Sequence, residues 1–233
     1  MTIVDGGNAF SNFDVTETAG RYAPITRTAA QVMRAVKRTF GDESGTQLED
    51  ADLIAWINDA QDAIVTKNKI LKAKSILPLT AGARTYTFPS ENIQQIESLL
   101  IDGRRILNMS VSQAEETLSD TDPDGEIEGF PQFWYEWAGE ITFWPTPIED
   151  GHITLRYTSK PTPVVLSSDR LSLPDTYYQD VVNYVLKQAY EMDENEPMMQ
   201  VKGQEFEASL AARSEEERTA QTMTYGVITV IDD

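Results

Sequence analysis

Apolar positions recur along this chain with two different periods. From Thr26 to Phe40, Ala29, Val32, Met33, Val36 and Phe40 fall at helical spacing, and Gly41 follows as a terminator. After Asp42-Glu43-Ser44-Gly45, the run LEDADLIAWINDAQDAIVTKN sets Leu53, Ile54, Ile57, Ala60, Ile64 and Val65 on one stripe. Glu49, Asp50 and Asp52 stand near its positive N-terminal end and Lys67 near the other, so it predicts a second helix. The period then falls toward two. Lys72 to Leu79, Arg84 to Phe88 and Ile96 to Ile101 read as strands, and Asp102-Gly103 turns the chain into Arg104 to Leu107. Ser112 to Leu118 reads as a short helix. Gln132 to Trp137, Glu140 to Trp144 and His152 to Tyr157 read as further strands, and together these segments predict an antiparallel meander.

Helical spacing returns at Leu173-Pro174-Asp175, where proline suits a first turn, and Tyr178, Val181, Val182, Val185, Leu186 and Ala189 form the stripe. Asn195 can cap a last helix that carries Met199, Phe206 and Leu210 and runs to about Arg218. Two helices precede the β region and two follow it. The fold class expected is therefore α+β, a four-helix frame with an inserted antiparallel β region and extended terminal arms. The boundaries read as an N-terminal arm over 1–24, a discontinuous helical domain over 25–69 and 172–218, a β domain over 70–171 and a tail over 219–233. Ile57, Ile64, Val182 and Leu186 should meet in the helical core.

With 233 residues of which 40% are apolar, the chain can bury the core of one domain, or of one domain with an insertion. There is no Cys and one His, which excludes disulfide staples, thiolate zinc sites, cysteine nucleophiles and multi-histidine metal sites within the chain. The N-terminal MTIVDGGNAFSNFDV lacks a basic region and an apolar run, and no stretch reaches the ~18 apolar residues of a spanning helix. A soluble protein made in the cytoplasm, with no membrane partner, is expected.

The net charge is −19, which argues against a generic nucleic-acid binder. Its distribution is uneven. Residues 1–109 hold 12 basic and 13 acidic side chains, whereas residues 110–233 hold 7 basic and 25 acidic. Two acid-free basic segments stand out, Arg21, Arg27, Arg34, Lys37 and Arg38 in one, Lys67, Lys69, Lys72, Lys74 and Arg84 in the other. They neutralise acidic faces of the same molecule or of a neighbouring copy, or else they contact phosphate.

The sequence contains no GxGxxG, GxxxxGK[ST], HExxH or GxSxG, so the chemistries built on those geometries are absent. No cofactor is expected. His152 reads as an ordinary side chain at a strand start. Glu136 and Glu140, flanking the Trp-rich hairpin, are a carboxylate pair of the kind a glycosidase uses. Asp120, Asp122 and Asp124, with Gly125, match the opening of a calcium loop, but its twelfth position is Pro131 instead of Glu, and the alternative is a flexible acidic loop within Glu115 to Glu128. Trp134, Tyr135, Trp137, Phe143 and Trp144 form either a stacking platform or, by their alternation, cross-strand pairs and one wall of a core.

The segment GFPQFWYEWAGEITFWPTPIEDGHITLRYTSKP (Gly129 to Pro161) resembles the G-x-P, strand, turn, strand, W-P-x-P, strand pattern of head-to-tail adaptor proteins of tailed bacteriophages. DADLIAWINDAQDAI (Asp50 to Ile64) is similar to that family's acidic-start helix, and LPDTYYQDVVNYVLKQAYEMDEN (Leu173 to Asn195) to its L-P-D helix. The three occur in the same order over roughly residues 26–215; the N-terminal arm and the C-terminal tail have no counterpart. The resemblance implies a non-enzymatic virion protein at the capsid–tail junction. It implies a homo-oligomeric ring, a dodecamer, between the portal protein and a tail or nozzle protein, extending a channel for genomic DNA that passes without sequence-specific binding.

Within that expectation, Arg34, Lys37 and Arg38 of the first helix are candidates to meet Glu205 and Glu207 of a neighbour's last helix. The tail Thr222 to Asp233, apolar at Tyr225, Val227, Ile228, Val230 and Ile231, is the candidate docking strand for the portal, or else folds back as an edge strand. Two rival classes stand beside this one: a glycan-binding or glycan-cleaving tail component, and an acidic DNA-mimic inhibitor.

Overall fold

The computed structural model describes residues 24–88, 92–122 and 127–224. The described residues divide into two units, one helical (24–71 and 161–224) and one β-rich (72–88, 92–122 and 127–160). The fold class is α+β, as the sequence predicts.

In the helical unit, α1 (Ala29–Phe40) opens at Thr28, whose backbone N–H donates to the Gln31 side chain at 3.4 Å. It closes at Gly41, whose φ of +95° places it in the left-handed region that glycine tolerates. α2 (Asp50–Asn68) follows, and α4 (Tyr178–Met192) and α5 (Glu196–Thr224) come after the β unit. Leu173-Pro174-Asp175 forms a 3-10 turn over Asp175–Tyr177 before α4 begins. α5 runs past Arg218 to Thr224, so the first residues assigned to a β-prone tail are helical. Val32, Val36, Leu53, Ile57, Ile64, Val182, Val185 and Leu186 share one core with Phe206 and Leu210, and the four predicted core positions are all among them.

The segment Pro161–Leu171 belongs with the helices, not with the β domain over 70–171. Asn58 explains this: its amide donates to the Val164 carbonyl at 2.9 Å and accepts from the Val164 N–H at 2.8 Å. Gln61, fully buried, accepts from the Ser172 N–H at 2.7 Å. A buried amide without such partners costs ~1–3 kcal/mol, so these two side chains fix the returning chain to α2.

In the β unit, β1 (Lys72–Leu79), β2 (Thr85–Thr87), β3 (Ile93–Ile101), β4 (Arg104–Asn108), β6 (Phe133–Trp137), β7 (Glu140–Trp144) and β9 (Gly151–Ser159) form one sheet in the order β1-β9-β3-β4-β6-β7-β2. This is not the expected meander. β9 inserts between β1 and β3, and β4 pairs with β6 in parallel because α3 (Val111–Thr121) carries the chain back before β6 begins. β5 (Glu128–Gly129) and β8 (Thr146–Pro147) form a second, parallel pair. Lys72 lies opposite Thr158, so the ends of this 72–160 unit are paired with each other. The inner face of the sheet holds Leu99, Ile101, Ile106, Trp134, Ile141, Phe143, Ile153 and Leu155 in a core of its own.

Candidate functional site

Alternation along β6 and β7 decides which aromatic residues face the core. Trp134 and Phe143 are opposite one another and buried on the inner face. Phe133 and Trp144, also opposite, stack on the outer face with centroids 5.9 Å apart. The reading as cross-strand pairs and a core wall therefore describes three of its five aromatics, Trp134, Phe143 and Trp144, the last paired with Phe133. Trp137 departs from it and stays 67% exposed. Together with Tyr135, Glu140, Glu115 and Leu118 it lines an open groove of about 500 Å³ between α3 and the hairpin.

The same alternation separates the candidate carboxylate pair. Glu136 shares the inner side with Trp134, opposite Ile141, whereas Glu140 stands opposite Trp137 on the outer side. Two carboxylates on opposite faces of a hairpin cannot flank one glycosidic bond. His152 opens β9 largely exposed, its Nδ1 3.6 Å from the Asp102 carboxylate, and Asp102 also accepts from the His152 backbone N–H. This is a turn contact next to the Asp102-Gly103 corner.

Of the calcium-loop candidates, Asp120 lies in α3 and Asp124 lies outside the described residues. Asp122 is the informative one. It is 5% exposed, and its carboxylate accepts from Trp144 Nε1 at 3.0 Å and from the Ile127 N–H at 3.2 Å. The acidic run is thus not one solvated loop: its first part is helical, and Asp122 is an internal acceptor that fixes Trp144 against the end of α3. Nearby, β5 pairs with β8, so the G-x-P and W-P-x-P motifs at Gly129 and Trp144 are spatial neighbours, and the Thr146 N–H donates to the Ile127 carbonyl at 3.0 Å.

The five residues assigned to a subunit contact have divided roles. Lys37 pairs with Asp50 at 2.6 Å, Glu205 with Lys202 at 2.7 Å, and Glu207 with Lys67. Arg34 and Arg38 remain exposed on α1. The basic segments thus neutralise acids of the same molecule at Lys37, Lys67 and Lys72, the last through Glu97. Tyr225, Val227, Ile228, Val230 and Ile231 lie outside the described residues, as does the arm before Pro24.

Three acids that the sequence reading left without a role organise the helical unit. Burial alone would raise the pKa of Asp42, but N–H groups of Leu48, Thr46 and Gln47 and the Thr46 hydroxyl outweigh it and hold the group at about 2. Asp175 is likewise lowered; donors on Thr26 and Arg27 overcome its burial. Asp180, 1% exposed, takes the Arg213 guanidinium at 2.9 Å and so joins α4 to α5. The local signal for Asp42 is the spacing D-x-S-G-T, an acid followed by small turn residues that bring the amides of Thr46, Gln47 and Leu48 round onto it. Nothing local signals the other two, because their partners lie far along the chain.

A family model described as SU10 adaptor protein matches residues 27–229, a span that includes both units. No curated protein matches the chain.

Proposed function

The chain belongs to the SU10 adaptor protein family, a family of phage structural adaptors, and we propose that it forms a ring between the portal and the tail of the virion. The ring, twelve-fold by its resemblance to head-to-tail adaptors, extends the DNA channel and presents the surface on which a tail or nozzle protein docks. It catalyses no reaction. The observation that carries this reading is the family match over residues 27–229, which takes in both helical segments and the whole β insertion. The charge supports it, because a net −19 per subunit repels the passing duplex and keeps DNA from adhering to the channel wall. Docking on the portal is assigned to the apolar tail Tyr225, Val227, Ile228, Val230 and Ile231, by strand addition.

Immunogold labelling of virions with antibody to this protein tests the location. Gold confined to the capsid–tail junction is expected, whereas gold along the tail or at its tip contradicts it. A chain truncated after Thr224 tests the tail, and should fold with unchanged melting temperature yet fail to join the portal complex. The glycan reading loses support from the placement of Glu136 and Glu140 on opposite faces.

A further inference from the structure

The outer face of the sheet is basic on a chain whose net charge is −19. Along β1, Lys72, Lys74 and Ile76 alternate with the inward Ala73, Ser75 and Leu77. The register sets Lys74 directly opposite Arg156 of β9. One row along, Ile76, Thr154, Leu100 and Arg105 run across β1, β9, β3 and β4. The acid on this part of the face is Glu97, and it is engaged by Lys72 and by the Thr158 hydroxyl. Lys74, Arg105 and Arg156 form no ion pair with another described residue. Like charges directly opposite on a sheet destabilise it, so an acid at position 74 or 156 would favour the isolated fold. Ile76, 54% exposed, stands at the edge of this face on β1, two residues from Lys74 and diagonal to Arg156, with Arg105 three strands away in its row. The face therefore presents three uncompensated cations and, at its edge, one exposed apolar side chain.

The α4–α5 corner has the same pattern with opposite sign. Glu191, Asp193, Glu194 and Glu196 are exposed around Met192, itself 48% exposed, with no base among them. The corner is fixed. The Asp193 and Asn195 N–H groups donate to the Ala189 and Tyr190 carbonyls at 3.1 and 2.9 Å, and the Asn195 side chain accepts from the Met198 N–H at 3.3 Å.

We infer that the basic outer face of β1, β9, β3 and β4 receives the acidic α4–α5 corner of a second copy. This rests on the ring reading and names the contact within it. The two surfaces differ, so the contact is heterologous, the type that propagates around a ring until it closes. Charge complementarity selects this occupant over nucleic acid, which the chain as a whole repels.

Two charge reversals of the full chain test it. K74E/R156E makes the face acidic, and E191K/D193K/E194K makes the corner basic. In sedimentation velocity at low salt, each variant alone should associate only at concentrations at least about tenfold above the wild type. Mixed in equal amounts they should assemble again, since each restores the partner that the other lacks. Assemblies of wild type that survive both reversals, or variants with wild-type melting that fail to complement, overturn this contact and leave the ring standing. A wild type that stays monomeric at every concentration and on the portal overturns the ring reading and this contact with it. Duplex DNA binding that K74E/R156E abolishes, with self-association untouched, gives the face to nucleic acid and also overturns the inference.

Discussion

In the helical unit the decisive polar contacts run inward. Asn58 and Gln61 fix the returning chain, Asp42 gathers the amides of the α1–α2 turn, and Asp180 takes Arg213 from α5. In the β unit the core is a cluster of apolar side chains, and the outer face carries Lys74 opposite Arg156 with no acid between them. The contrast separates two uses of polarity. Buried and paired, as in the helices, it specifies one arrangement of four elements. Exposed and uncompensated, as on the sheet, it adds nothing to the stability of the isolated chain and is available to a partner.

Substitutions that attack each core should have the largest effects. Leu186→Ala in the helical core and Phe143→Ala in the sheet core should each cost ~3–5 kcal/mol in denaturant unfolding, since both side chains are almost wholly buried. If Phe143→Ala lowers only one of two resolved transitions, the units unfold separately. A single shifted transition means that they share one cooperative unit.

Next comes the buried charge of the helical unit. Arg213→Ala leaves the Asp180 carboxylate buried without its cation and should cost ~3 kcal/mol, and adding Asp180→Asn should recover part of the loss. An equal loss in single and double variants would show that Arg213 acts through its packing over the Tyr177 ring. In the β unit, Asp122→Ala strands Trp144 Nε1 and should cost ~1–3 kcal/mol with a change in tryptophan emission. If millimolar calcium raises the wild-type melting temperature and Asp122→Ala abolishes the rise, Asp122 is a metal ligand and not only an acceptor for Trp144.

The smallest expected effect is the pH response of the α1–α2 turn. The folded pKa of Asp42, about 2, lies below the ordinary carboxylate value of 3.8. Its contribution is therefore fully present above pH 4 and is lost as pH falls through 2. Asp42→Asn should flatten the acid limb of the stability curve in that window and leave the neutral region parallel to wild type. An unchanged acid limb would mean that other carboxylates dominate there.

How far each unit could be read from its sequence follows the same divide. Helical stripes are local, so α1, α2 and the four core positions followed from spacing alone, and Gly41 marked its own terminus. The alternation in the sheet gave the bounds of β1 and β7, but it put all five aromatics on one wall, and only the register separated the inward Trp134 and Phe143 from the outward Trp144 and Trp137. It could not give strand order, because a period of two assigns faces but not neighbours. The insertion of β9 between β1 and β3 and the parallel pairing of β4 with β6 rest on contacts far apart in sequence. The candidate surfaces show this most clearly. Glu136 and Glu140, four residues apart, needed the turn and register to reveal opposite faces. Lys74 and Arg156, far apart along the chain, became a pair only through the β1–β9 register.

Native mass spectrometry of the purified protein mixed with its cognate portal shows whether copies of this chain close into the proposed ring. One dominant complex is expected, its added mass a fixed whole number of subunits, twelve by the resemblance, with no partial stoichiometries at saturation. Single copies bound independently, or no complex with the portal at all, would contradict it.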